Sequence, residues 1–194
     1  MKLLRFDMSE YSEPHSVSKL IGTASGYVGY EEGGLLTNAI LKDPNCVILL
    51  DEIEKAHPEI FKTFLQMMDY GMLTDNKGRK VDCRNAIIIY TSNAGVANAA
   101  KPSLGFISTK EEVNTDAITD AVNTLFSVEF RNRLTGIVTF NGLSEDMSIM
   151  IAKKELNILD EKLKKKGYKV DFTENCVKKL AKDGASYEFG ARNM

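Results

Sequence analysis

The sequence predicts an α/β fold: a parallel sheet with flanking helices over residues 1–142, then a smaller, mostly helical domain over 143–194. Three stretches carry that expectation. In "VILLDEIEKAHPEIF" (47–61) four branched apolar residues run straight into Asp51 and Glu52. Unbroken Val/Ile/Leu runs belong to parallel strands buried on both faces. "NAIIIYTSNAG" (85–95) is a second such run, also ending in polar residues, with a helical pattern between the two. Strand, helix, strand with polar groups at the strand ends is the pattern of a doubly wound domain, which binds ligands outside the carboxyl ends of its strands. Around Asn141-Gly142-Leu143 the character changes, and "SEDMSIMIAKKELNILDEKLKKKG" reads as one long amphipathic helix.

Taken in order, "LLRFDMSEY" opens as a strand with no cap or linker before it, as expected of a segment cut from a longer protein. "SVSKLIG" (16–22) is a short helix and "TASGYVGYEEGG" (23–34) a glycine-bearing loop. "GLLTNAILKDPN" is a helix ended at Asp43-Pro44, because the residue before proline is pushed out of the helical region. Pro58 suits a first helical position, where its missing N–H costs nothing. Ile60, Phe61, Phe64, Leu65 and Met68 then make one apolar face. "DNKGRKVD" (75–82) reads as a polar turn and residues 97–116 as loop. "AITDAVNTLF" is a helix with Ile118, Val122, Leu125 and Phe126 on one side, followed by "FRNRL". Beyond the boundary, Ser144 and Thr173 stand as N-caps of two helices, the second stopped at Gly184, and "YKVDF" (168–172) alternates like a half-buried strand.

Composition narrows the class. The chain has 194 residues, 43% of them hydrophobic, and a formal net charge of −2, so it lacks the basic field of nucleic-acid binders. No run approaches a membrane span and the N-terminus has no signal-peptide pattern. Cys46, Cys83 and Cys176 are widely spaced and read as reduced thiols of a cytoplasmic protein, and two histidines (His15, His57) leave no histidine-rich metal site. The lysines from Lys153 to Lys169 alternate with acids at helical spacing, as on a solvated face.

Asp51 and Glu52 are the first candidates for chemistry. A nucleotide triphosphatase needs an acid near Mg²⁺ and a second group that polarises the attacking water. Consecutive residues leaving a strand point in different directions and can serve both roles. The same acids also suit a helix N-terminus, where the dipole favours carboxylates. Asn93, ending the neighbouring strand, could hold that water, although alone it reads more readily as an Asx-turn residue.

With its neighbours, "DEIEKAHPE" resembles the Walker B segment of AAA+ proteins of the Clp unfoldase and disaggregase branch. "FDMSEY", "LIGTASGYVGYEEGGLLT", "LTDNKGRKVDCRN", "TSNAG", "EFRNRL" and "GARNM" stand in that branch's order and cover nearly the whole chain. The nearest resemblance is to the second AAA+ module of ClpA-type ATPases, which unfold proteins and feed them to the ClpP peptidase. The resemblance implies ATP and Mg²⁺ as cofactors, Asp51 at the metal and nucleotide, and Glu52 as activator of water. It implies Asn93 as sensor 1, Arg133 as the arginine finger reaching a neighbouring subunit's nucleotide (with Arg131 the local alternative), and Arg192 as sensor 2. Gly26, Tyr27, Val28 and Gly29 correspond to the loop whose aromatic grips the translocating polypeptide in the axial pore. Implied partners are unfolded or tagged protein substrates, a ClpP-type peptidase and further copies in a homo-hexamer, with neither nucleic acid nor membrane.

Two features refine the resemblance. No G-x-x-x-x-G-K-[ST] occurs in the sequence, so the phosphate-cradling loop is missing and the chain alone is expected to bind ATP weakly or not at all and not to turn it over. In the family that loop lies upstream of "LLRFDMSEY", and the small domain would extend beyond "GARNM", which implies truncation at both ends. "KPSLGFIST" (101–109) carries an apolar Leu-Gly-Phe in a polar loop, a sensible anchor for a partner's groove. In Clp unfoldases that dock on ClpP, such a tripeptide occupies this place, making Leu104, Gly105 and Phe106 candidates for peptidase docking. ClpB-type disaggregases lack it, and that chaperone activity is the alternative.

Overall fold

The computed structural model describes residues 1–22, 33–94, 115–185 and 191. The chain divides into two compact units, one formed by residues 1–94 and 121–137, the other by 95–120 and 138–194.

In the first unit, β1 (Lys2–Asp7), β2 (Cys46–Asp51) and β5 (Ile87–Tyr90) form a parallel sheet in the order β1-β2-β5. The register pairs Asp7 with Asp51 and Leu50 with Tyr90, so the strands end together on one rim. Cys46, Ile48 and Leu50 are fully buried, and Val47 and Leu49, one residue out of phase, are only half-buried. The other strands share that face: Leu3 and Ile87 are 60% and 50% exposed. The apolar runs led to an expectation of burial on both faces, and only one face is fully covered.

Helices α1 (Pro14–Ile21), α2 (Leu35–Lys42) and α3 (Pro58–Tyr70) form as their sequences dictate. Proline opens α1 and α3, and Gly71 closes α3 in the left-handed conformation at φ 61°, its N–H donating to Met67 O. Ile60, Phe64 and Met67 are the buried residues of α3, with Phe61, Leu65 and Met68 packed beside them. The polar turn after α3 proves to be the tip of an antiparallel hairpin, β3 (Met72–Thr74) and β4 (Lys80–Asp82), in which Leu73 faces Val81. Helix α4 (Thr115–Leu125) leads through Phe126 into the single turn α5 (Val128–Arg131). There Phe126 and Phe130 stack at 5.0 Å, and Phe61 and Tyr90 meet Phe130 edge-on at 5.6 and 5.3 Å. This aromatic cluster ties α3 and β5 to the end of α4.

In the second unit, α6 (Glu145–Lys164) and α7 (Glu174–Gly184) pack around Ala152, Val177 and Ala181. Ser144 Oγ accepts from Met147 N at 3.3 Å and Thr173 Oγ1 from Cys176 N at 3.3 Å, the two expected caps. "YKVDF" is not a strand: no segment among the described residues pairs with it, and Tyr168 is 62% exposed. An alternating pattern forms a strand only where a ladder partner exists. The lysines from Lys153 to Lys169 are exposed, as on a solvated face, and Lys164 pairs with Asp160 at 2.5 Å.

Candidate functional site: two acids on the rim of the sheet

Asp51 is the last residue of β2 and Glu52 the first beyond it. Glu52 has φ 55° and ψ 51°, the one left-handed non-glycine residue among those described. That conformation turns the chain sharply and costs a residue with a Cβ roughly 1–2 kcal/mol, so neighbouring bonds must hold it. Thr91, just past the end of β5, supplies them. Its hydroxyl donates to Asp51 Oδ1 and accepts from Glu52 N at 3.2 Å, and its carbonyl accepts from Ile53 N at 3.0 Å. Thr91 N in turn donates to Leu50 O at 3.0 Å, continuing the β2–β5 ladder. One threonine therefore fixes the Asp51 carboxylate and the left-handed main chain of Glu52 together.

The second Asp51 oxygen accepts from Arg5 Nη2 at 2.5 Å, across from β1. Asp7, in register with Asp51, accepts from the hydroxyl and N–H of Ser9, which hold its carboxyl below the ordinary value against desolvation and the charge of Asp51. Asn93 lies close to the acids: its N–H donates to Glu54 Oε1 at 3.3 Å. The other oxygen, Glu54 Oε2, is buried without a hydrogen-bond partner in the protein. Asp51, Glu52, Glu54, Thr91 and Asn93 thus gather on one rim, where the doubly wound rule puts a ligand.

Arg133 is elsewhere. Its Nε donates to Asp69 Oδ1, its Nη1 to Glu129 O at 3.0 Å, and its Nη2 lies 3.5 Å from Glu129 Oε1. Asp69 is near the C-terminal end of α3, whereas the acids precede its N-terminus. Eleven residues of helix put those ends roughly 16 Å apart at 1.5 Å per residue. Arg131 donates to Asn123 Oδ1, and its Nε is buried without a partner. Gly26, Tyr27, Val28 and Gly29, the Leu104-Gly105-Phe106 tripeptide and Arg192 lie outside the described residues.

Sequence reasoning missed Arg5, Glu54 and Thr91. The signal for Thr91 was its place as the first polar residue after an apolar strand, the same place Asp51 has in β2. The signal for Arg5 was a charge inside "LLRFD". A cleft of about 390 Å³ in the second unit is lined by Leu156, Ile158, Leu159 and Leu180 among others, and by none of the candidate residues. Among the described residues no cluster of three or more His, Cys, Asp or Glu side chains could hold a metal unaided, and no helix is long and apolar enough to cross a membrane.

Comparison with known proteins agrees with this geometry. A family model for the AAA domain (Cdc48 subfamily) matches residues 1–137, and one for the C-terminal, D2-small domain of ClpB protein matches residues 143–194. A "ClpA homolog protein" of Fuscovulum blasticum is 44% identical over the whole chain, which covers 24% of that relative. "Chaperone protein ClpB" of Bdellovibrio bacteriovorus is 43% identical over 99% of the chain and 22% of its own length. The "ATP-dependent Clp protease ATP-binding subunit ClpE" of Streptococcus pneumoniae is also 43% identical, over 99% of the chain and 25% of its own. The chain therefore spans about a quarter of the length of these relatives. Among solved structures, a chain of "Closed State CryoEM Reconstruction of Hsp104:ATPyS and FITC casein" superposes with a TM-score of 0.82 at 40% identity, over 98% of this chain and 33% of that one. With a parallel sheet that ends in paired acids and two matched domains in this order, the chain belongs to the AAA family, joining an AAA domain to a D2-small domain as in the C-terminal module of Clp ATPases.

Proposed function

We propose that the protein containing this chain is a ClpA-like unfoldase that hydrolyses ATP to unfold proteins and thread them into a ClpP-type peptidase in the cytoplasm. The observation that carries this reading is Thr91 fixing the Asp51 carboxylate and the Glu52 main chain on the rim beside Asn93. Glu52 then activates water, Asn93 positions it, and Asp51 supports Mg²⁺ at the nucleotide. The donor set fits a hydrated cation. Mg²⁺ keeps several waters and takes one or two carboxylates. Glu54 offers a buried oxygen that no protein donor meets. When bound, the metal supplies neutralisation of phosphate charge. Arg133, remote from its own chain's acids, acts in a homo-hexamer on the next subunit's nucleotide, and Arg192 acts from the small domain, whose boundary falls at residue 142. Tyr27, between Gly26, Val28 and Gly29, grips the polypeptide, and Leu104, Gly105 and Phe106 dock the peptidase. The 194-residue chain alone is inactive, since it holds no phosphate-cradling loop.

A ClpB-type disaggregase working without a peptidase is the second reading, favoured by the D2-small match and the ClpB relatives. The full-length protein with ATP and a ClpP-type ring separates the two. If peptidase binding is lost on deleting Leu104–Phe106 while ATP hydrolysis persists, the protease-motor reading stands. If the intact ring never binds the peptidase yet rescues aggregates, the disaggregase reading replaces it.

A further inference from the structure

The hairpin tip that the sequence offered only as a polar turn grips both ends of the segment 23–32. At the first end, Asn76 N donates to Ile21 O at 3.2 Å, and the Asn76 side-chain amide donates to Gly22 O. At the second, the Arg79 guanidinium lies against Gly33 so closely that a Cβ there would fall 2.6 Å from Nη2. The same Nη2 donates to Asn38 Oδ1 at 2.9 Å, one turn into α2. The two ends also touch: a Cβ on Gly34 would lie 2.6 Å from Gly22 N, so only glycine allows this approach.

Arg79 is aimed by Asp75, which is 4% exposed. Asp75 accepts from Arg79 Nε at 2.6 Å, Arg79 N at 2.8 Å and Lys77 N at 2.9 Å. Such a carboxylate, with three donors converging on it, fixes the turn and the guanidinium together.

The hairpin's place in the chain gives this grip a purpose. β3 follows α3 directly through Gly71, and α3 follows the acids; β4 leads into β5, which ends at Tyr90, just before Thr91 and Asn93. The turn thus joins the connection between the two halves of the candidate site to the neck of the segment bearing Gly26–Gly29. We propose that Asn76 and Arg79, oriented by Asp75, are positioning residues that hold this neck and transmit displacements of the nucleotide site to it. The inference rests on the proposed reading of Tyr27 as the residue that grips the polypeptide.

Asn76 is exposed, so Asn76→Asp keeps the fold while replacing the donor to Gly22 O by an acceptor. In the full-length protein, Asn76→Asp and Arg79→Ala are each expected to lower the amount of a fluorescent substrate unfolded per ATP by about five-fold, one hydrogen bond's worth of positioning. Basal ATP turnover stays within about two-fold of the parent. Asn76→Gln, which keeps the donor, recovers part of the coupling, and Arg84→Ala, whose partner is Asp82 on the same hairpin, leaves it unchanged. Coupling unaffected by Asn76→Asp and Arg79→Ala, or ATP turnover falling in parallel with unfolding, overturns the inference. Tyr27→Ala is measured alongside. If it abolishes unfolding while the hairpin variants are silent, only the clamp is wrong. If Tyr27→Ala unfolds substrate normally, the gripping reading falls and takes the clamp with it.

Discussion

Replacing Glu52 by glycine should stabilise the first unit while removing the group proposed to activate water. Glu52 occupies φ 55°, ψ 51°. The left-handed region costs a non-glycine residue roughly 1–2 kcal/mol, and glycine removes that cost but gives back about 0.4–1 kcal/mol through a freer unfolded chain. The bonds fixing the turn run through the main chain, from Glu52 N to Thr91 Oγ1 and from Ile53 N to Thr91 O, so Glu52→Gly keeps them. The net expectation is a gain of about 0.5–1 kcal/mol, or an upward shift of about 0.3–0.5 M in the urea midpoint. Near-UV circular dichroism of the 194-residue chain is a suitable probe, since Tyr90 sits in the aromatic cluster of that unit. Glu52→Gln is the control, because it removes the charge beside Asp51 and Glu54 but keeps the strained backbone. A midpoint lowered by glycine would refute the strain argument. A midpoint raised equally by glutamine would transfer the effect to charge repulsion. In the full-length protein both variants should lose about 10²–10⁴ in ATP turnover, the usual value of a general base.

Three further substitutions test the packing and the hairpin. Phe130 is 1% exposed and has Phe61, Tyr90 and Phe126 within 6 Å, centroid to centroid, so Phe130→Ala should cost about 3–5 kcal/mol in urea unfolding. Phe140→Ala, at a ring 88% exposed, should stay within about 0.5 kcal/mol of the parent. For Asp75, burial raises the carboxyl pKa, but the hydrogen bonds and charge of Arg79 with the Lys77 N–H outweigh it and leave it below the ordinary 3.8. A carboxylate depressed on folding contributes stability above its unfolded value and loses it as pH falls through the folded one. Asp75→Asn should therefore cost about 2 kcal/mol at pH 7, with the exposed Arg79 pairing discounted, and the gap to the parent should close below pH 4. A gap constant with pH would assign the effect to shape.

What could be read from the chain followed from local chemistry. The caps at Ser144 and Thr173, the proline opening α3, and the stop before Pro44 are decided by one or two residues each, whereas α1 begins at Pro14, two residues before the expected Ser16. Strands β2 and β5 announced themselves through uninterrupted branched residues. The β3–β4 hairpin escaped notice because each strand buries one side chain, Leu73 or Val81, too few to show a period. "YKVDF" had the period and lacked a partner, which no single segment discloses. Asp51, Glu52 and Asn93 could be singled out because each follows an uninterrupted apolar run, which places them together at the strand ends. Thr91 and Arg5 were not, since their relevance is a matter of register: only the pairing of Leu50 with Tyr90 and Arg5 with Leu49 brings them to Asp51.

The position of Arg133 bears on why a proposed ATPase of this kind would need neighbours. Its guanidinium is held by Asp69 and Glu129, and Asp69 lies some three helical turns along α3 from Pro58. As placed, the guanidinium is engaged near the end of α3 opposite the one that Glu52 precedes. Used across an interface, the arginine must first leave its present partners. Those pairs are about a third to two-thirds exposed, and pairs of that kind are worth about 0–1 kcal/mol each. A trans-acting finger contributes roughly 10³–10⁵ in rate, equivalent to about 4–7 kcal/mol of barrier. The release therefore costs a fraction of the gain. On the proposed reading, Asp69 would keep the finger along α3 until a second subunit's nucleotide outcompetes it, and Asp69→Ala should leave ring assembly intact while weakening the cooperativity of ATP turnover. If Asp69→Ala matched the parent in both, the pairing would be surface chemistry and Arg131 would become the candidate finger.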